Sequence, residues 1–105
     1  MQRFKRRNWG WWLVLWRGSK FKVKLLRFKK GGSLSMQKHR FRKELWLFLG
    51  GEGKNLGKSY SKGDYLLIER LEWHKFVADK KTWVLELQYG NRCDEEDIER
   101  KDENI

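Results

Sequence analysis

An all-β domain, a small barrel or sandwich, is what this sequence predicts, and three features predict it. Glycine supplies the punctuation, with ten residues, while proline is absent. The stretches between the glycines are short and rich in aromatic and branched side chains, the composition of strands joined by turns. Several of those stretches alternate with a period of two, the mark of a half-buried strand. The 105 residues make one domain. With 39% apolar residues and seven tryptophans, they suffice for one core.

The elements follow in order. Trp11 to Trp16 is a mostly apolar run and predicts a buried strand. The stretch SKFKVKLLRFKK alternates, with Phe21, Val23 and Leu25 on the side expected to be buried and Lys20, Lys22 and Lys24 on the other. ELWLFL, Glu44 to Leu49, is a further strand, in which Trp46 and Phe48 share the parity of Glu44 and are expected to face inward. The segment from Gly50 to Gly63 holds five glycines and reads as a turn-rich connection with a short irregular strand. DYLLIE and TWVLELQY, the latter Thr82 to Tyr89, complete the strands. Near the end, Asp94 is placed to cap a short helix with acids in its first turn and Arg100 and Lys101 later.

Charge is unevenly distributed. The net is +11, yet residues 1–43 carry fifteen Lys or Arg and no acid, whereas residues 44–105 carry ten basic and fourteen acidic side chains. The chain therefore divides into a basic N-terminal arm (1–8), a body and an acidic tail (93–105). Such asymmetry suits nucleic acid, an acidic membrane or a small anionic substrate, or lets two parts of one fold attract each other. The tryptophans of the basic half lie mostly in a run that strands would bury, which disfavours nucleic acid. The first sixteen residues are basic and then apolar, but they lack a small-residue cleavage site and the apolar run is too short to span a bilayer. One cysteine, Cys93, cannot form an internal disulfide and reads as an ordinary thiol. These features lead to the expectation of a cytoplasmic protein with no membrane partner.

SMQKHRFRKE, Ser35 to Glu44, is the stretch with chemical content. Gln37 and His39 lie two apart on a strand and face one way. A four-residue turn then brings Glu44 to the start of the next strand beside them. His74, the only other histidine, lies thirty residues beyond Glu44, where only a closed fold brings it near.

The spacing Gly31, five residues, Gln37, one, His39, four, Glu44, six, Gly51 resembles the first cupin motif, G-x5-H-x-H-x4-E-x6-G, with glutamine for the first histidine. Gly63, five residues, Glu69, Arg70, Leu71, two residues and His74 keep the spacing of the second, G-x5-P-x-G-x2-H-x3-N. Trp9-Gly10, KVK at Lys22 to Lys24, GGSLSMQKHRFRKELW and LELQYG, followed by Asp97-Ile98 and Arg100, look like the C-terminal domain of type II mannose-6-phosphate isomerases from about Arg7 to Asp102. In those proteins the domain often follows a sugar-nucleotide transferase domain.

The resemblance implies a double-stranded β-helix (jelly-roll) barrel, residues 1–105 as one cupin domain, and a homodimer in which the N-terminal strand extends a partner's sheet. It implies a divalent metal ion (zinc, manganese, iron or nickel) held by Gln37, His39, Glu44 and His74. That set carries one negative charge, so a bound ion keeps its Lewis acidity, with one or two positions open. Lys24, Arg42 and Trp46 are implied to meet a small sugar-phosphate substrate. The activity implied is the aldose–ketose interconversion of mannose 6-phosphate and fructose 6-phosphate through an enediol. No base is singled out; Glu69 and Glu86 are chemically able. A non-catalytic sugar- or anion-binding cupin, or another cupin enzyme such as an oxygenase, are the alternatives. The chain departs from the family pattern at Phe41, usually histidine, at Asn8, Lys30 and Glu69, where turn prolines stand, at Leu71 for glycine and at Ala78 for asparagine. Because leucine tolerates positive φ poorly, the loop before His74 is expected to take a different conformation.

Overall fold

Eleven strands run through residues 2–101, the part of the chain that the structure, a computed structural model, describes. They are β1 (Phe4–Arg7), β2 (Gly10–Arg17), β3 (Phe21–Phe28), β4 (Gln37–Lys38), β5 (Arg42–Gly50), β6 (Glu52–Asn55), β7 (Lys58–Ser61), β8 (Tyr65–Ile68), β9 (Phe76–Ala78), β10 (Thr82–Gly90) and β11 (Glu99–Arg100). Met1 of the arm and 102–105 of the tail lie outside the described residues. The strands pair antiparallel as a six-stranded sheet, β1-β2-β3-β10-β5-β8, a three-stranded sheet, β7-β6-β9, and the pair β11-β4.

The core forms where the two larger sheets meet. Phe28 packs edge-on against Phe76 with centroids 4.9 Å apart. Trp46 meets Phe76 at 5.7 Å, and Phe48 stacks on Tyr60 at 5.4 Å. Gly53 makes this closeness possible, since a Cβ there would lie 2.4 Å from the Phe76 ring. Gly51, the last motif glycine, has φ +87°, and a Cβ on it would stand 2.3 Å from the Lys81 carbonyl oxygen.

Several expectations change. The predicted burial of β3 is inverted: Lys22 and Lys24 are 1% and 4% exposed, while Phe21 is exposed and Val23 and Leu25 are half-buried. β2 is not buried throughout, since Trp12 and Val14 face inward but Leu15 and Trp16 lie exposed. The segment from Gly50 to Gly63 is a true hairpin, β6–β7, turned by Leu56 (φ 50°) and Gly57 (φ 86°). Both residues adopt the left-handed backbone of a two-residue hairpin, where Asn-Gly is the usual signal. The basic arm forms β1, a hairpin with β2, leaving the other edge of β1 open.

No helix follows Asp94; residues 94–98 are turn and irregular backbone leading into β11. The expected cap pairs locally, and two of the acids after it have tertiary partners, Glu95 on Lys22 and Lys24 and Asp97 on the Arg40 and Phe41 backbone. Asp94 accepts from Arg92 at 2.9 Å, and Asp97 accepts from the Arg40 and Phe41 N–H groups, each at 2.9 Å. No helix among the described residues is long and apolar enough to cross a membrane.

The loop before His74 keeps its left-handed residue despite the substitution, because Leu71 has φ 62°. Its N–H donates to the His39 carbonyl at 2.7 Å, and Glu72 Oε1 accepts from the Glu69 N–H at 2.8 Å, so the turn is held from both sides. A leucine there costs about 1–2 kcal/mol. Glycine removes that strain and loses roughly 0.5–1 kcal/mol of chain entropy. Leu71→Gly is therefore expected to stabilise the protein by roughly 0.5 kcal/mol in urea melts, and a loss of stability would contradict the strain.

Candidate metal centre

Two antiparallel hydrogen bonds bring the ligand-bearing segments together. The Gln37 N–H donates to His74 O at 3.0 Å and the His74 N–H to Gln37 O at 2.8 Å. Glu44 enters from β5, pointing inward with Trp46 and Phe48 as its parity requires. His39, Glu44 and His74 are all buried, and a nitrogen or carboxylate oxygen of each lies within 4.8 Å of the others. His39 Nε2 is 3.0 Å from Glu44 Oε2. The Nδ1 of His39 is 2.6 Å from the Asp97 carbonyl oxygen. A carbonyl only accepts, so Nδ1 carries a proton; Nε2 faces the ionised Glu44 carboxylate and donates there as well, and it would give up that proton to ligate a cation.

Gln37 lines the same cavity. Its Nε2 donates to Ser35 O at 3.2 Å, which fixes the amide's orientation. His74 Nδ1 is buried without a hydrogen-bond partner. Two imidazoles and a carboxylate converging within 4.8 Å, with Gln37 on the same cavity wall, form a donor set that fits a divalent cation.

Arg42 is the close neighbour of this group. Its Nε and Nη2 donate to Glu44 Oε2 at 3.0 and 2.9 Å, and its Nη1 to Asp94 O at 2.8 Å. Trp46 Nε1 donates to Glu44 Oε1 at 2.9 Å and to Glu86 Oε2 at 3.1 Å. Burial opposes the charge on Glu44, but Arg42 and then His39 outweigh it and hold the carboxyl well below its usual range. Burial also works against a charged His39, yet Glu44 raises its pKa. For His74 burial prevails and the pKa is lowered. Glu86 is the opposite carboxyl: burial, then the charge of Glu44, lift it to about 7. Two carboxyls pushed apart in this way divide into a fixed anion and a group able to exchange a proton near neutral pH.

A cavity of about 530 Å³ joins these side chains, lined by Gln37, Arg42, Glu44, Trp46, His74 and Glu86, with Lys24 and Glu95 farther along its wall and Lys5, Arg6, Arg7 and Arg100 also bordering it. Lys24, Arg42 and Trp46 thus stand beside the candidate ligands. Glu69 does not: it lies outside the cavity, 3.2 Å from Lys43, with half its side chain exposed. Phe41 packs under the Arg92 guanidinium at 4.7 Å, away from the cavity, and Ala78 is core. Reading the sequence missed Glu95 as a cavity group, Lys22 as its buried partner behind the wall, and Asp97 as the residue that orients His39. Lys22 shares the parity of Lys24, and Asp97 lies within a stretch that resembles the family; nothing local marks Glu95.

Comparison with known proteins adds the following. Residues 1–103 match the family model described as mannose-6-phosphate isomerase C-terminal. The alginate biosynthesis protein AlgA of Pseudomonas putida is 29% identical over 103 residues, 90% of this chain and 21% of that protein. Its namesake in Pseudomonas aeruginosa is 29% identical over 102 residues, again 90% of this chain and 21% of the relative. The chain thus spans only 21% of the length of these curated relatives. Among solved structures, KdgF from a Halomonas species superposes with a TM-score of 0.71 at 16% identity, covering 78% of this chain and 79% of that one. A cupin-superfamily sugar phosphate isomerase from Silicibacter pomeroyi gives 0.67 at 21% identity, covering 75% and 58%. Likeness at that identity shows the fold, a cupin double-stranded β-helix.

Proposed function

We propose, from the premise that the chain belongs to the family of mannose-6-phosphate isomerase C-terminal cupin domains, that it binds a divalent cation and isomerises a sugar phosphate, interconverting mannose 6-phosphate and fructose 6-phosphate. The observation that carries the reading is the buried His39–Glu44–His74 group, one donor atom of each lying within 4.8 Å of the others. These three and Gln37 would hold the ion, one of zinc, manganese, iron or nickel, since all accept mixed nitrogen and oxygen ligands. When bound, the ion supplies Lewis acidity toward a carbonyl or hydroxyl oxygen.

The remaining roles belong to the chain. Glu86, buried and with a pKa near 7, is the group suited to carry a proton between C1 and C2 of the sugar. Trp46 holds Glu86 and Glu44 through one indole N–H and walls the cavity. Lys24 meets the substrate's phosphoryl group as a point charge. Arg42 gives three N–H groups to Glu44 and Asp94 and sets its Nη2 3.4 Å from His39 Nε2, which leaves one N–H on Nη1 for the same purpose. A non-catalytic binding role is the second reading, and the internal pairing of Arg42 and Lys24 is what favours it. A coupled assay with mannose 6-phosphate decides: turnover with at least one of the four metals, lost on chelation, is expected, and no turnover with any of them would leave the binding role.

The partner in solution is proposed to be a second copy. The outward face of the six-stranded sheet bears an apolar row through Phe4, Leu13, Leu25, Leu85, Leu47 and Tyr65, each opposite the next in register. Val23, Leu87, Leu45 and Leu67 form a second row. Four strands of eight or nine residues and two of four, about 4.8 Å apart, make a footprint of roughly 600–700 Å², near the ~800 Å² per partner of stable interfaces. Light scattering is expected to find a dimer that Leu85→Glu dissociates; a monomeric wild type would contradict it.

A further inference from the structure

Two lysine ammoniums are buried on the inner face of β3, and one half-exposed carboxylate answers both. Lys22 Nζ lies 3.0 Å from Glu95 Oε2, and Lys24 Nζ lies 3.2 Å from each oxygen of the same carboxylate. The lysine side chains are 1% and 5% exposed, whereas that of Glu95 is 42% exposed. Buried ammoniums are rare and need compensation, and here it is incomplete. Glu86 stands 4.0 Å from Lys24, beyond hydrogen-bond distance, and takes its own hydrogen bonds from Trp46 and Gln88. Trp12 gives Lys24 a ring face at 4.1 Å but no charge. The pair therefore holds an excess of positive charge, and the basic residues of β1 and Arg100 add to it along the cavity.

Glu95 comes from irregular backbone between β10 and β11, not from a strand. It lines the cavity on one side. On the other it borders a second depression walled by Arg17, Gly18, Asn91, Arg92, Cys93 and Asp94. The segment is anchored next to it, by Arg42 on Asp94 O and by Asp97 on the backbone of Arg40 and Phe41. Glu95 itself contributes only its side chain, which can swing out without unfastening the segment.

We propose that Lys22 and Lys24 form an anion subsite for the phosphoryl group of a ligand, and that the Glu95 carboxylate occupies this subsite until the ligand displaces it. A phosphoryl group offers three oxygens and more than one negative charge, so it matches two ammoniums better than one carboxylate does. Glu95 is then a built-in competitor: it keeps the lysines neutralised when the cavity is empty and sets a threshold for occupancy. This deepens the reading of the cavity as a sugar-phosphate site but needs neither the cation nor turnover.

The test is calorimetric titration of the full-length protein with inorganic phosphate, a hexose 6-phosphate and the free hexose, as purified and again after chelation. Glu95→Gln is expected to bind both phosphorylated ligands about tenfold more tightly than wild type, in both preparations and at fixed ionic strength, because one competing charge at contact distance is removed. The free hexose should show no such gain. Adding Lys22→Met to Glu95→Gln should cancel it. Glu95→Asp, too short to span both lysines, provides the same comparison with the charge retained and should gain severalfold. Unchanged or weaker affinity of both variants for both phosphorylated ligands, or an equal gain for free hexose, overturns the proposal. Because the chelated preparation reports on the lysines alone, that failure is distinct from failure to bind a metal.

Discussion

His74→Ala is expected to lower divalent-cation affinity by more than about a hundredfold, since even partners one step removed from a metal contribute about 10–100-fold. The variant leaves the fold's connections in place. What ties His74 to Gln37 is a pair of backbone hydrogen bonds, which the side chain does not make. The imidazole itself is 1% exposed, with one nitrogen unpartnered, so it gives the core less than a fully bonded side chain would. Elemental analysis of wild type and variant purified side by side checks this. Retention of the same metal content by a folded His74→Ala protein would remove His74 from the ligand set.

Glu86→Gln is expected to reduce isomerase turnover by about 10²–10⁴-fold, the usual contribution of a positioned acid or base, while metal content stays unchanged. Trp46 and Gln88 reach different oxygens of Glu86, Oε2 at 3.1 Å and Oε1 at 2.8 Å; glutamine keeps the shape and an acceptor for one of them, and the proton is lost. The same variant has a signature in stability. The pKa of Glu86 is raised to about 7 from an unperturbed 4.5, first by burial and then by Glu44. A raised pKa contributes stability that is fully present below 4.5 and is lost as pH rises through about 7. Wild type should therefore lose ground to Glu86→Gln between pH 5 and pH 8, by an amount on the order of 1–3 kcal/mol. Urea melts of metal-free protein at the two pH values measure it. An equal difference at both would mean that Glu86 does not titrate in this window, and undiminished turnover would exclude it as the base.

What the sequence revealed, and what it concealed, follows from one inversion. On β5, Glu44, Trp46 and Phe48 turn inward, and two aromatics made the inner face legible. On β3 and β10 one end of the inner face is polar, Lys22 and Lys24 with Glu86 and Gln88, beside Leu26, Phe28 and Val84, while Leu25, Leu85 and Leu87 face outward. The rule that apolar residues face inward therefore points the wrong way across a binding cavity whose outer sheet face is apolar. His39 and Glu44 were legible from spacing; His74 was legible only through family resemblance, because its approach depends on the β4 bridge. Leu56 and Leu71 hid two left-handed turns that glycine or asparagine would have announced. The helix expected after Asp94 failed because Glu95 and Asp97 have partners far away in sequence, which no local pattern records.

The most direct measurement is an anomalous difference map from crystals of the protein prepared without chelator and supplied with manganese or zinc. The account predicts a single strong peak per chain in contact with His39 Nε2, Glu44 and His74, with the Gln37 amide oxygen turned toward it. A map with no peak there, and Arg42 still lying across Glu44 with the metal in excess, would contradict it.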